Sequence, residues 1–347
     1  MSELRDAGIL VKMAHQGFIN AGIDASTIYE RCGITRRLIE DPQVRTPHDA
    51  QTIFWQACEE ITGDKYIGLH LGLHIPVFRG QVIEYLFLSS PTFEEGLNRA
   101  LNYQRLLSDA VTAKVAREGD RCLFSIGSTN ENTHEIRHLI DAILLGAIRF
   151  FCHLTQDNFK PLSVAVTHGG LADDEGRNSE YAKVFGCPVI FNSDQNIIEF
   201  GIDILHFPSQ HAEPELMKAH EQVAIKQIAR LEKQDIITDV SRIIGELLDS
   251  GEVSLENVSN RLDITARSLR SRLADAGTSF NHILANYRCN LSKQLLSRTD
   301  ESIDEIVYLT GFSEPSTFYR AFKRWTSMTP IEYRKSKKHQ SHALSTV

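Results

Sequence analysis

One apolar pattern, written twice between residues 255 and 334, restricts this chain more than any other feature. The first copy has Leu255, Val258, Leu262 and Ile264, then Leu269 and Leu273; the second has Ile303, Ile306, Leu309 and Phe312, then Phe318 and Phe322. Apolar residues three and four apart mark the buried stripe of a short helix. In each copy the stripe breaks at a turn and resumes, so two short helices cross over one small core. Such a unit is a helix-turn-helix, whose second helix fits the DNA major groove.

The turns agree with that reading. Gly311 follows Leu309 where a chain leaving a helix often needs positive φ, which glycine adopts without strain. Ser313 is the expected N-cap of the next helix, with Pro315 in its first turn. In the first copy Thr265 is the expected cap of a helix over 266–276, which Gly277 ends. Between the copies Phe280, Ile283, Leu284, Tyr287, Leu291 and Leu295 keep helical spacing. One helix of about four turns is therefore expected over 280–296, joining the two units and setting their separation.

The outward faces of the two second helices are rich in cations and hydroxyls. The first offers Arg267, Arg270, Ser271 and Arg272; the second offers Ser316, Thr317, Tyr319, Arg320, Lys323 and Arg324. Arginine reads guanine bidentately or clamps a phosphate, and hydroxyls suit base edges or backbone oxygens. Any one arginine reads equally well as solvated surface. Two such faces at matching places in a repeat point to double-stranded DNA.

Charge is shared unevenly along the 347 residues. Residues 254–338 hold 14 Lys+Arg and 9 Asp+Glu, a net of +5, against a net of −13 for the rest. A modestly basic end on an acidic body suits local phosphate contact without general adhesion to nucleic acid. The length predicts two domains. The six cysteines are scattered without a CxxC pair, which suits reduced packing residues of a cytoplasmic protein. The first residues do not read as a signal peptide, and no apolar run reaches membrane-spanning length.

The repeat resembles the DNA-binding domain of the AraC/XylS family of transcription regulators. The resemblance is carried by Arg267-Ser268-Leu269-Arg270-Ser271-Arg272-Leu273 and Gly277-Thr278-Ser279-Phe280. A second signature comprises Ile306, Gly311-Phe312, the run from Ser316 through Phe318 and Phe322 to Arg324, Thr329-Pro330 and Tyr333-Arg334. Ser327 stands where the family usually has glycine, and Val307 where alanine is common; both imply a cost in local fit rather than in function. The resemblance implies promoter or operator DNA and RNA polymerase as partners.

Upstream, residues 4–72 read as helical, with 49–62 an amphipathic helix whose Ile53, Phe54, Ala57 and Ile61 point inward. Thr92 is the expected cap of a helix over 93–107. Runs over 111–117 and 121–127, joined at Glu118-Gly119-Asp120, read as a hairpin. A helix over 133–153 follows, then strands over 162–167, 189–191 and 197–200, and a charged helix over 215–234. This body resembles the N-terminal effector domain of an arabinose-binding-like subset of the same family. Ile61-Thr62-Gly63-Asp64, Gly68-Leu69-His70-Leu71-Gly72, Ser90-Pro91-Thr92-Phe93-Glu94-Glu95-Gly96-Leu97 and Phe185-Gly186-Cys187-Pro188-Val189 carry the match. It implies a domain that binds a small molecule and forms a homodimer. The expected organisation is an α+β effector domain over 1–215, a linker helix over 216–234, an all-α DNA-binding domain over 235–338 with two helix-turn-helix motifs on a long helix, and a disordered tail over 339–347.

His134-Glu135-Ile136-Arg137-His138 matches HExxH, in which two histidines one turn apart hold zinc. No third ligand follows in a zincin-like context, and the surrounding apolar stripe reads as core. A metallohydrolase is therefore the rival reading, with a constitutive DNA-binding protein whose body only dimerises as a third. His70 and His74 lie four apart, but the surrounding Gly68, Gly72 and Pro76 suggest a turn in which helical geometry fails. No cofactor motif is present and no metal site is expected. Phe78, Arg79, Tyr85, Tyr103, Arg105 and His138 are the candidate effector residues, as aromatic and polar groups on the mixed α/β body.

Overall fold

The computed structural model describes the chain apart from residues 1–3, 42–43, 77–80, 130–135, 171–178, 249 and 345–347, and apart from side chains beyond residue 337. The chain divides into two compact units, residues 1–228 and 229–347.

The first unit begins with β1 (Arg5–Ala7), α1 (Gly8–Ala21), α2 (Ser26–Cys32), α3 (Arg36–Glu40), β2 (Arg45–Pro47), α4 (Ala50–Thr62) and α5 (Ile67–His74). It continues with α6 (Val82–Ser89), α7 (Phe93–Asn102), β3 (Val111–Glu118), β4 (Arg121–Ser128) and α8 (Arg137–Leu154). Then come β5 (Pro161–Ala165), α9 (Glu180–Phe185), β6 (Val189–Ile190), β7 (Asn196–Gly201) and the start of α10 (Pro214–Leu248). Thr92 caps α7, its Oγ1 accepting the Glu95 N–H at 3.3 Å.

Five strands form one sheet in the order β3-β4-β7-β5-β6, antiparallel except for the β5–β6 pair. Glu118 pairs with Arg121 across the expected hairpin, and Gly119 takes φ +63° in its turn. Along β4, Cys122, Phe124 and Ile126 alternate inward with the period of a strand. They join Ile140, Leu144, Ile148 and Phe151 of α8 in the largest core. A second core gathers Phe18, Ile28, Trp55, Ala57, Cys58 and Leu71 from the N-terminal helices.

Three expectations in this half need correction. Within α4, Trp55, Ala57 and Cys58 are buried, whereas Ile53 and Ile61 are 53% and 37% exposed. Residues 53 and 55 lie about 200° apart on a helix, so both cannot face inward, and the indole removes the larger apolar area from water. The segment around His70 is the helix α5, so the four-residue spacing to His74 is helical after all. The charged helix expected over 215–234 runs on to Leu248, since no proline interrupts it. The short β1–β2 ribbon, three residues a strand, carries no pattern that sequence periodicity detects.

The second unit takes the rest of α10 and adds α11 (Leu255–Arg261), α12 (Ala266–Asp275), α13 (Phe280–Arg298), α14 (Ile303–Leu309), α15 (Pro315–Thr326) and α16 (Pro330–Leu344). Val240, Ile243, Ile244 and Leu247 of α10 pack with Val258, Leu269, Leu273 and Ile283 in one core. Leu296, Ile306, Val307, Phe318 and Phe322 form another. Gly245 lets α10 and α13 approach closely: a Cβ there would run into the Tyr287 hydroxyl. Helix α16 reaches Leu344, where a disordered tail was expected from 339; the last three residues lie outside the described ones.

Candidate nucleic-acid interface

Each copy of the repeat folds as a helix pair. Helices α11 and α14 are both seven residues long, and each is followed two positions later by a left-handed residue, Asp263 at φ +53° and Gly311 at φ +70°. The second turn is one residue longer, because α12 begins at 266 and α15 at 315. Aspartate is among the few non-glycine residues that visit this conformation readily, which is why the first turn shows no glycine signal.

The caps differ between copies. Thr265 Oγ1 accepts the Ser268 N–H at 3.1 Å and starts α12. In the second copy the N-cap is Glu314, not Ser313, and its side chain makes no capping bond. Pro315 at the first helical position supplies the fixed φ, and the N–H it lacks is one that has no intrahelical partner there. Ser279 caps α13 by accepting the His282 N–H at 3.3 Å, and that helix runs 19 residues.

Burial fixes which faces remain outward. Leu269 and Leu273 of α12 are buried, as are Phe318, Ala321 and Phe322 of α15. At 100° per residue, Arg267 and Ser271 project opposite the α12 core stripe, and Arg270 and Arg272 lie at its two flanks. On α15, Ser316, Arg320 and Lys323 are central, with Thr317 and Arg324 on one flank and Tyr319 on the other. All ten are exposed except Tyr319, which is half-buried with its ring against Phe318. Among the described residues, Arg267, Arg270, Arg272, Arg320 and Arg324 have no carboxylate within 4.0 Å, whereas Arg36, Arg117 and Arg242 in the same chain are ion-paired. Lys323 lies in the field of Glu332. Five exposed, unneutralised guanidinium groups on two helices leave their positive potential available to an external anion.

Of the candidate effector residues, Phe78 and Arg79 lie outside the described ones. The structure does not bring the other four together. Tyr85 is exposed and stacks on His220 with ring centroids 5.2 Å apart. Burial and the neighbouring Glu221 raise the pKa of Tyr103. Arg105 Nε donates to Asp109 Oδ1 at 3.0 Å. His138 is buried, with Nε2 2.8 Å from Glu59 Oε2 and Nδ1 accepting the Gly68 N–H at 3.3 Å. That histidine ties α8 to α4 and α5. Its HExxH companions His134 and Glu135 lie outside the described residues. His70 is likewise engaged, by Asp64 at 2.7 Å and Glu180 at 3.3 Å.

None of those four lines the apolar cavity of about 410 Å³ in the first unit, whose walls include Val11, Phe54, Trp55, Phe124, Leu139 and Phe150. It lies between the two cores and is bounded by α1, α4, α8 and the β3–β4 hairpin. A polar knot sits at its edge. Asp6 takes hydrogen bonds from His48 at 2.9 Å, Ser108 at 2.6 Å and Gln51 at 2.9 Å. Burial disfavours the charged form of Asp6, but these donors outweigh it and hold its carboxyl below the ordinary range. No sequence signal joins Asp6 to Ser108, which are 102 residues apart. A wider cleft of about 780 Å³ at the end of α8 also lies in this unit, but the Arg149 guanidinium on its wall is committed to the carbonyls of Gly72 and Ile75.

Comparison with known proteins agrees with this geometry. The profile of the N-terminal arabinose-binding domain of AraC transcription regulators matches residues 22–209, and a helix-turn-helix domain profile matches residues 258–336. The chain is similar to the ornithine utilization regulator of Pseudomonas aeruginosa, at 24% identity over 91% of this chain and 92% of that one. It is 30% identical to the HTH-type transcriptional regulator VirS of Mycobacterium tuberculosis over 165 residues, 46% of each chain. Among solved structures, the transcriptional regulator CdpR of Pseudomonas aeruginosa covers 89% of this chain at 20% identity, with 96% of its own length matched and a TM-score of 0.42.

Proposed function

The chain belongs to the AraC-type DNA-binding transcription regulators, with an arabinose-binding-like N-terminal domain, and from that premise we propose that a small molecule bound in that domain controls its affinity for an operator. The family consists of regulators and not of enzymes, which sets aside the metallohydrolase reading. Helices α12 and α15 enter successive major-groove faces on one side of a duplex, which recur about every 34 Å. Arg267 and Ser271, with Arg270 beside them, read bases in one groove; Ser316, Arg320 and Lys323 read them in the next. Arg272, Thr317, Tyr319 and Arg324, at the flanks, hold phosphates and fix the register. The observation that carries this reading is the pair of outward faces whose five arginines lack carboxylate partners among the described residues.

Ligand binding then shifts a population between arrangements that differ in affinity for DNA. The protein acts as a cytoplasmic homodimer that contacts RNA polymerase at the promoter. No helix among the described residues is long and apolar enough to cross a membrane. The name of one relative directs attention to ornithine as a ligand to be tried first, but the cavity walls argue for another chemistry. The test is affinity selection of fragmented genomic DNA on the purified chain, followed by mobility shifts of the recovered site with and without metabolite extract. Recovery of one sequence whose binding changes with extract supports the reading. Equal retention of all fragments contradicts it, and specific binding indifferent to extract favours a constitutive regulator.

A further inference from the structure

The apolar cavity of the first unit carries information about what it takes. Its volume of about 410 Å³ is at the lower end of the ~300–1,000 Å³ spanned by small-molecule sites. Among the described lining residues there is no lysine, arginine or glutamate, and the one carboxylate, Asp6, already has three donors. The Tyr29 hydroxyl is engaged by His15 at 2.8 Å, and Ser108 Oγ accepts the Ala110 and Val111 N–H groups.

Two buried side chains on this wall keep a polar atom without a hydrogen-bond partner among the described residues. The Trp55 indole N–H is buried without a hydrogen-bond partner among the described residues, a state that costs free energy unless something fills it. His48 is 4% exposed, and its Nδ1 faces the Asp6 carboxylate. No hydrogen bond to Nε2 is found among the described residues. His48 lies in the turn before α4, and Gln51 and Trp55 stand four apart on the helix itself and share one face of it.

Resting on the reading that this half senses a small molecule, we infer that the cavity takes a neutral, largely apolar molecule bearing a hydroxyl, seated against His48 and Trp55. A hydroxyl both donates and accepts, so it can pair with His48 Nε2 in either tautomer while accepting from the Trp55 N–H. Sugars carry more hydroxyls than these two buried groups can meet. A free carboxylate or a zwitterionic amino acid would enter without a fixed opposite charge to meet it, and buried unpaired charge is strongly disfavoured.

The chain has two tryptophans, Trp55 and Trp325, so Trp325→Phe in the full-length protein leaves Trp55 emission as a direct report on the cavity. Decan-1-ol and decanoate at pH 8 are matched probes that differ in the head group. The inference predicts saturable alcohol binding at least tenfold tighter than decanoate, L-arabinose or ornithine. His48→Leu lowers the alcohol affinity, and Ala147→Phe, which fills the cavity from α8, abolishes the response. Should His48→Leu fail to fold, Ala147→Phe and the alcohol–carboxylate ratio still decide. Tighter binding of decanoate, sugar or amino acid, or alcohol binding undiminished in Ala147→Phe, overturns the inference. Operator affinity measured in parallel separates the two claims. Alcohol binding that leaves DNA affinity unchanged upholds the ligand class and removes effector control through it. A metabolite that changes DNA affinity without displacing the alcohol upholds effector control and overturns this cavity as its site.

Discussion

Arg288, on α13, donates from Nη2 to the carbonyl oxygen of Gly311 at 2.7 Å and lays its guanidinium over the Phe312 ring, 4.7 Å from the centroid. The linking helix thereby grips the turn of the second helix pair as well as packing into the first core through Ile283. Separation of the two recognition helices is then a property of one rigid element rather than of a loop. Arg288→Met keeps the apolar stem, loses the donor, and should destabilise the protein by about 1–3 kcal/mol. Calorimetry of the full chain checks this, and an unchanged unfolding temperature would mean that the contact contributes little. Gly311→Ala adds a strained φ of +70° and a Cβ 3.0 Å from Leu248 Cδ1, so it should cost at least as much.

At the end of α15, Ser327 occupies the left-handed C-cap position at φ +61°, its N–H donating to the Lys323 carbonyl at 2.8 Å. This conformation costs a non-glycine residue about 1–2 kcal/mol. Ser327→Gly should therefore raise stability by about 1 kcal/mol, less the added entropy of glycine in the unfolded chain. A lowered unfolding temperature would show that the serine hydroxyl makes a compensating contact.

The repeat was legible because its signals are local: Leu269 with Leu273 and Phe318 with Phe322 fix the buried side of each recognition helix, and the cations fall opposite. Gly311 announced its turn; Asp263 did not, since aspartate takes positive φ at low cost and leaves no compositional mark. The cavity was hidden for a different reason. Asp6, His48, Trp55 and Ser108 meet only through the β1–β2 ribbon and the start of α4, contacts between segments up to 102 residues apart. Periodicity reports which side of a helix is apolar. It does not report which apolar sides stand away from one another and leave a space.

Arg270 and Arg324 should behave differently. If Arg270 reads a base, Arg270→Ala costs roughly 1–3 kcal/mol on the preferred operator and relaxes discrimination at one position. Arg324→Ala, at the flank, should weaken all sequences alike and reduce the salt dependence of binding by about one phosphate contact. Competition binding against randomised sites, repeated at several salt concentrations, measures both. A uniform loss with Arg270→Ala would reassign that residue to the backbone.

The depressed carboxyl of Asp6 predicts a pH effect. A carboxylate whose folded pKa lies below its unfolded value near 3.9 contributes stability that is present above that value. The contribution is lost as the pH falls through the lower folded pKa. Asp6→Asn should thus be less stable than the parent at neutral pH, and the difference should shrink from about pH 5 downwards. Parallel stability curves for the two proteins over that range would mean that Asp6 contributes no linked stability.

Hydroxyl-radical footprinting of the full chain on its selected operator tests the central claim most directly. Two protected patches on one face of the duplex, one helical turn or about 10.5 base pairs apart, are expected. Arg270→Ala should weaken one patch and Arg320→Ala the other. A single patch per subunit, or two patches on opposite faces, would contradict the account of two recognition helices held in register by α13.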